Sequence, residues 1–293
     1  MQSYFKNKWL PYLLLLPTFV VLGVFLFYPA GETFRLSFYR VQAFGLRKKF
    51  TGFGNFVSLF QNPDYVSSFL LSLLFSACVV IIGLVISLLI AILLNQKLKG
   101  IKMYRSLLLW PYAFSPAIAG AVFGFLFSPA NGFVTSLFSS VFGTSPKWLT
   151  YGPLAFGVVT AAAVWKNLGY NIIFYLAGLQ QVQREAIESA SIDGAGALRR
   201  FLYITFPLLS PTTFFLLIMN IIYSYFGAFG LVDVLTQGGP ANASNILIYQ
   251  LYRDFFVNSV TGLAAAESVV LFVLVVVLML IQFRTTGRRV YYQ

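Results

Sequence analysis

The stretch EAIESASIDGAGALRRFLYITFPLLSP, residues 185–211, lies between two long apolar runs of a chain in which only 10% of residues are charged. Arg184 just before it, and Glu185, Glu188, Asp193, Arg199 and Arg200 within it, gather charge into one short segment. The spacing predicts two short helices hinged at glycine. Residues 184–192 read as an amphipathic helix with acids near its start, where the helix dipole favours them. Asp193-Gly194-Ala195-Gly196 breaks it, since glycine readily takes the backbone angles of a sharp turn. A second helix through Arg199, Arg200 and Phe201 leads to Pro207. Such a pair is either a compact projection that fits a groove on another protein or a solvated connector with ordinary caps. Spacing alone leaves both open.

The flanking composition says where the segment sits. Of 293 residues, 59% are hydrophobic, and the mean hydropathy is +0.81, which marks a polytopic membrane protein rather than a soluble domain. The net charge of +12 does not point to nucleic acid, because the 20 basic residues fall in small groups between apolar spans and form no stripe. Histidine is absent and Cys78 is the sole cysteine, so disulfides, Cys/His metal sites and Cys–His or Ser–His catalysis within this chain are excluded. The apolar stretch after Lys6 and Lys8 is long and lacks a small-residue cleavage site, so it is expected to be a retained span.

A bilayer crossing takes roughly 20 apolar residues as helix. Six segments qualify: about 10–30, 67–94, 106–128, 154–180, 207–232 and 260–283. Pro111 and Pro116 predict a kink in the third. The fold class expected is therefore all-α, six transmembrane helices in one domain covering 1–293, with residues 184–207 in the loop between helices 4 and 5. If both termini share a side, that side holds Lys6, Lys8, Lys97, Lys99, Lys102, Arg105, Arg184, Arg199, Arg200, Arg284, Arg288 and Arg289. The other holds Arg35, Arg40, Arg47, Lys48, Lys49, Lys147 and Arg253. The larger set should be cytoplasmic, which places termini and loop there, although the cluster Arg47-Lys48-Lys49 argues the other way.

The loop resembles that of binding-protein-dependent ABC importer permeases, whose pattern is E-A-A, three residues, G, nine residues, I-x-L-P. Glu188, Ala190, Gly194, Ile204 and Pro207 stand at those positions, while Ser189 and Phe206 depart from the pattern and Gln183 replaces a frequent proline. The likeness runs through WLPYLLLLPTFVVLGVFLFYPAGETFRLSF (9–38), GFGNFVSLFQNPDY (52–65), LLLWPYAFSPAIAGAVFGFLF, VWKNLGYNIIFYLAGLQ, DVLTQGGPANAS and the tail IQFRTTGRRVYYQ, all similar to the carbohydrate-uptake branch. The resemblance implies a subunit of the cytoplasmic (inner) membrane that moves a sugar, a polyol or glycerol 3-phosphate by alternating access. Implied partners are a second permease, a dimer of ATP-binding subunits, an extracytoplasmic binding protein and the bilayer. Glu188, Ser189, Ala190, Asp193, Gly194 and Ala195 would then couple to the ATPase. The chain has no Walker-type G-x-x-x-x-G-K-[ST], so ATP and Mg²⁺ are expected on the partner and no cofactor here. An ion-coupled secondary transporter is the rival, but it needs buried acids that these spans, Glu267 apart, scarcely offer.

Candidate solute contacts interrupt the apolar spans. Trp165, Lys166, Asn167, Tyr170 and Asn171 break the fourth, and Lys166 lies roughly 18–21 Å from either end, too deep to snorkel easily. It faces either a polar cavity, with a phosphate or hydroxyl as ligand, or an acid or carbonyl of a partner subunit. Gly169-Tyr170 could break the helix near the midplane. Asn220, Tyr223 and Ser224 share one face of the fifth span, which by resemblance lines the path, with interhelical hydrogen bonding as the alternative. Asp233 and Gly238-Gly239-Pro240 suit either a turn or a contact with the binding protein, and Glu267 suits helix packing or a subunit interface.

Overall fold

A computed structural model describes residues 9–42, 47–96 and 100–285. Lys6, Lys8, Lys97, Lys99, Arg288 and Arg289, which carry part of the orientation argument, lie outside the described residues, as does the tail from 286 onward. Helix dominates. Contacts gather the chain into two units, residues 1–62 with 251–272 and residues 63–250 with 273–293.

The first unit opens with α1 (Leu10–Leu36), whose side chains are buried nowhere along its length. An apolar helix uncovered all round is suited to lipid or to a partner's helices. An antiparallel hairpin follows, β1 (Tyr39–Gln42) against β2 (Arg47–Phe50), with Tyr39 opposite Phe50, Arg40 opposite Lys49 and Val41 opposite Lys48. This ribbon departs from the all-α expectation. Tyr39 and Val41 alternate with polar neighbours as a pleat requires, but Arg47-Lys48-Lys49 carries no strand signal, lysine being disfavoured in strands. Next comes α2 (Gly54–Gln61), fixed by buried Asn55. The Asn55 amide nitrogen lies 2.8 Å from the Ser37 carbonyl oxygen, 3.0 Å from that of Tyr39 and 3.3 Å from that of Gly262. One side chain thus ties the end of α1, the hairpin and the start of the last helix.

The second unit runs through α3 (Pro63–Leu94), α4 (Ile101–Ala113), α5 (Pro116–Leu126), α6 (Phe133–Phe142), α7 (Gly152–Gln181), α8 (Arg184–Ile192), α9 (Ala197–Leu208), α10 (Ser210–Gly227) and α11 (Phe229–Leu235). In chain order α12 (Leu247–Tyr252) and α13 (Thr261–Thr285) complete the described helices. Of these, α1, α3 and α13 are each long and apolar enough to cross a bilayer, and the bent pairs α4–α5 and α9–α10 reach that standard only when each pair counts as one span. α7 has the length, at 30 residues, but the polar block around Lys166 keeps it out of that class.

The kink expected within 106–128 is a corner of 104° between α4 and α5. Its cause is local. Pro111 sits inside α4 without ending it, whereas Pro116 pushes Ser115 into extended backbone and takes the first position of α5, where its missing N–H costs nothing. Ser115 caps that helix, its hydroxyl oxygen accepting from the Ile118 N–H at 3.2 Å. A second bend, of 66°, separates α9 from α10 at Leu209.

α3 and α7 pack along their length. The buried face of α3 carries Ser68, Ser72, Ser76, Gly83, Ser87 and Ala91, small residues that let backbones approach where lipid supplies no hydrophobic drive between helices. The serine hydroxyls turn back on their own helix, Ser72 to the Ser68 carbonyl at 2.8 Å and Ser87 to that of Gly83 at 2.6 Å. Leu84, Ala91, Ile172, Tyr175, Leu176, Leu209 and Leu216 form the core between α3, α7 and α10. The helix break expected at Gly169-Tyr170 is absent: α7 is continuous there. Gly169 serves packing instead, since a Cβ on it would stand 3.0 Å from both the Leu109 carbonyl oxygen and the Tyr112 Cβ on α4.

Candidate functional site

Two places in the second unit concentrate the predicted site residues. The first is the loop. α8 starts at Arg184 with Glu185 in its first turn, and no side chain caps it at Gln183. It ends in a Schellman turn: the Gly194 N–H donates to the Ser191 carbonyl at 3.2 Å and the Ala195 N–H to that of Ala190 at 2.9 Å, with Gly194 left-handed at φ +79°. Gly196, extended at φ −64° and ψ 162°, then starts α9. The expected hinge is therefore built from main-chain bonds. Glu188, Ser189, Asp193 and Gly194 are exposed and Ala190 and Ala195 half-buried; Ser189 donates to the Ala186 carbonyl at 3.2 Å, while Glu188 and Asp193 have no ion-pair partner among the described residues. Charge is only part of this surface. Ile192 is 86% exposed, Leu198 71% and Tyr203 76%, an apolar set that a charge-led reading misses although the residues were plain in the sequence. Exposed apolar side chains rimmed by charge are the usual make-up of a docking element.

The second place is the middle of α7. Asn167 and Asn171, one turn apart, both reach Asn220 on α10, donating to its Oδ1 at 2.7 and 3.2 Å. Asn220 Nδ2 in turn donates to Asn171 Oδ1 at 2.8 Å and to the Leu216 carbonyl at 2.7 Å, so its donors and acceptor are all engaged. All three asparagines are buried. Ser224, one turn on, is buried with its hydroxyl 2.7 Å from that of Ser76 on α3 and 2.9 Å from the Ile221 carbonyl oxygen. Asn171, Asn220 and Ser224 are thus held in interhelical bonds. The remaining candidates are not. Lys166 is 9% exposed and has no hydrogen bond or acid partner among the described residues. Its ammonium lies 5.0 Å from the centre of the Tyr112 ring and 5.5 Å from that of Tyr223, close enough for cation–π attraction. The Tyr223 hydroxyl is buried without a hydrogen-bond partner among the described residues. Trp165 stacks on Phe114 at 6.3 Å, and Tyr170 meets Tyr112 at 5.4 Å and Phe174 at 4.8 Å, so an aromatic file flanks the lysine. Tyr112, unmarked in the sequence beyond its place beside Pro111, is the residue that completes this cage.

The segment after α11 is bonded as a turn. The Ser244 hydroxyl lies 2.6 Å from the Gly239 carbonyl oxygen and 2.8 Å from Thr236 Oγ1, and Gly238 takes φ +75°. Asp233 is half-buried on α11. In the first unit, Glu267 is buried beside the carboxyl group of Asp254.

Comparison with known proteins decides what such a chain is. Residues 8–288 match the family described as binding-protein-dependent transport system inner membrane component. The chain belongs to that family. The sn-glycerol-3-phosphate transport system permease protein UgpA of Yersinia pestis bv. Antiqua is 42% identical over 289 residues, covering 99% of this chain and 98% of that one. The protein of that name from Brucella abortus biovar 1 is 42% identical over 98% of both, and that from Escherichia coli O157:H7 is 41% identical over 99% and 98%. A bacterial ABC transporter involved in import of the acidic polysaccharide alginate shares the fold at TM-score 0.84 and 23% identity, covering 97% of this permease and 96% of that chain. The same transporter in complex with an alginate pentasaccharide-bound periplasmic protein matches at 0.83. The permease is accordingly an inner membrane transport component of an ABC importer rather than an enzyme, and no relative speaks for the ion-coupled alternative.

Proposed function

We propose that this permease moves a small organic anion of the glycerol 3-phosphate kind, with Lys166 offsetting its charge on the way. The observation that carries the proposal is the buried ammonium of Lys166 with no described acid partner, set between Tyr112 and Tyr223 beside an unpartnered tyrosine hydroxyl. Orphaned polar groups inside a transport protein mark a ligand's place more readily than a structural one. The names of the relatives at 41–42% identity support the same solute class. A neutral sugar or polyol remains the alternative solute, its hydroxyls meeting Lys166, Tyr170 and Trp165.

In this scheme the chain acts as one transmembrane domain with six spans and both termini cytoplasmic, α7 being the fourth span despite its polar middle. It works with a second permease, two ATP-binding subunits that hold ATP and Mg²⁺, and an extracytoplasmic binding protein. Residues 184–207 dock on the ATPase through Glu188, Ser189, Ala190, Asp193, Gly194 and Ala195, with Ile192 and Leu198 filling its cleft. Closure of the ATPase dimer moves the loop and opens the path outward.

Lys166→Gln tests the solute contact. A charge-assisted bond is worth about 1.5–3 kcal/mol, so uptake of glycerol 3-phosphate per assembled complex should fall roughly ten- to hundredfold, with Lys166→Arg recovering part of it. Equal losses for a charged and an uncharged solute, or lowered assembly of the complex, would show that Lys166 pairs with the second permease instead.

A further inference from the structure

The segment that follows α1 sets a puzzle that transport leaves untouched. Between Tyr28 and Asn62 there are five basic residues, Arg35, Arg40, Arg47, Lys48 and Lys49, against the single acid Glu32. Glu32 is occupied by Arg35 at 2.6 Å. Arg40 stands directly opposite Lys49 in the hairpin, and like charges at facing positions destabilise a ribbon. That pair projects from the face opposite Tyr39 and Phe50, and Lys48 alone of the hairpin lysines shares the face of those rings.

The same segment holds an apolar cradle. Phe34, Phe38, Tyr39, Phe50 and Phe53 line a cavity of about 450 Å³ with Arg35 at its edge. The rings brace each other, Phe38 at 5.3 Å from Phe34 and 5.5 Å from Phe53, and Tyr39 at 5.3 Å from Phe50. Yet Phe50 is 66% exposed and Phe53 71%. Lys48, two residues before Phe50 in the strand, lies on the same face of the hairpin. Apolar interior and cationic edge repeat the layout of one molecule type, an anionic phospholipid with an acyl chain and a phosphate. The position agrees. Phe34 belongs to the last turn of α1 and the hairpin begins three residues after that helix ends, so the cradle continues the uncovered apolar surface of α1 at the level where headgroups lie. An acidic soluble protein would need the cations but not the open phenylalanines.

We propose that the cradle formed by the end of α1 and the β1–β2 hairpin is a binding site for an anionic phospholipid, the rings holding the start of an acyl chain and Lys48 the phosphate. The proposal rests on α1 crossing the membrane, whichever way round.

The test uses the assembled transporter in phosphatidylcholine nanodiscs that carry a photoreactive diazirine analogue of either phosphatidylglycerol or phosphatidylcholine. Cross-links are mapped by mass spectrometry, and basal ATP turnover confirms that each variant is intact. Phosphatidylglycerol should label residues 32–53 several-fold more than phosphatidylcholine. Lys48→Gln should lower that labelling by roughly fivefold, Lys49→Gln, on the opposite face of the ribbon, should lower it much less, and Phe53→Ser should lower labelling by both lipids. Equal labelling by the two lipids in the unmodified transporter would overturn the proposal, as would labelling that persists in Lys48→Gln. Loss of labelling on adding saturating binding protein would also overturn it, by making this face a protein-docking surface.

Discussion

Gly194→Ala and Gly196→Ser should move the loop in opposite directions although the residues are only two apart. Gly194 sits at φ +79° with open space where a Cβ would project, so the penalty for alanine is purely conformational. Left-handed backbone costs an L-residue about 1–2 kcal/mol, and the stiffer unfolded chain gives back about 0.4–1 kcal/mol. The net is a loss of about 1 kcal/mol, roughly a fivefold rise in the open hinge. Gly196 has φ −64°, ψ 162° and no neighbour near its Cβ position, so serine fits without strain and adds a capping oxygen for the first N–H groups of α9. That should be neutral or stabilise by a few tenths of a kcal/mol. Hydrogen exchange of the complex reads the difference directly: the Gly194 and Ala195 amides should exchange several-fold faster in Gly194→Ala, no faster in Gly196→Ser, and amides of α3 and α7 should not change. Solute-stimulated ATP hydrolysis should fall only in the first variant. Gly194→Pro, which cannot reach a positive φ and loses the bond to Ser191, should abolish stimulation while leaving membrane levels normal. Wild-type exchange in Gly194→Ala, or equal damage from Gly196→Ser, would refute the hinge.

Topology is checked with cysteines after replacing Cys78: one at Ser191 should react with impermeant reagents only from the cytoplasm and one at Asn242 only from outside. The reverse pattern would remove the docking role of the loop. Asn220→Leu strips three side-chain bonds from α7, each worth about 0.6 kcal/mol on average between membrane helices, so the melting midpoint of the complex should fall by several degrees with solute affinity unchanged. A changed affinity at an unaltered midpoint would instead make Asn220 part of the path.

Much of this architecture could be read from the chain because apolar length and glycine placement speak locally. α3, α8 and the hinge at Gly194 fall close to where spacing predicts them, since a charge-free run and a Schellman glycine need no distant partner. What escaped needed one. Ser115 and Pro116 announce a helix start, and their local geometry makes the corner, but its size of 104° is not written in the two residues. Gly169 looks like a breaker until Leu109 and Tyr112 stand against it. Asn220 is polar in an apolar span on any reading; only Asn167 and Asn171 across from it show where its bonds go. The hairpin is hidden because Arg47-Lys48-Lys49 has little strand propensity of its own, and pairing with Tyr39–Gln42 holds it extended.

The arrangement of α7 explains how a loop could act on a deep lysine. Two extended residues, Val182 and Gln183, join α8 to α7, and α9 runs into α10 through the bend at Leu209, so the two loop helices lead straight into the two helices that the asparagines tie together. From Lys166 to Gln181 is about 22 Å of unbroken helix at 1.5 Å per residue. Leu209, fully buried among Leu176, Leu179 and Leu216, fixes the bend from inside. A displacement at α8 therefore has no soft joint between Val182 and the aromatic cage. α7 and α10 must shift together, while Lys166 can change its neighbours on α4, where Tyr112 supplies a ring contact and no hydrogen bond. On the proposed coupling, hydrogen bonds join the helices that move as one, and Lys166 meets α4 through a ring contact alone.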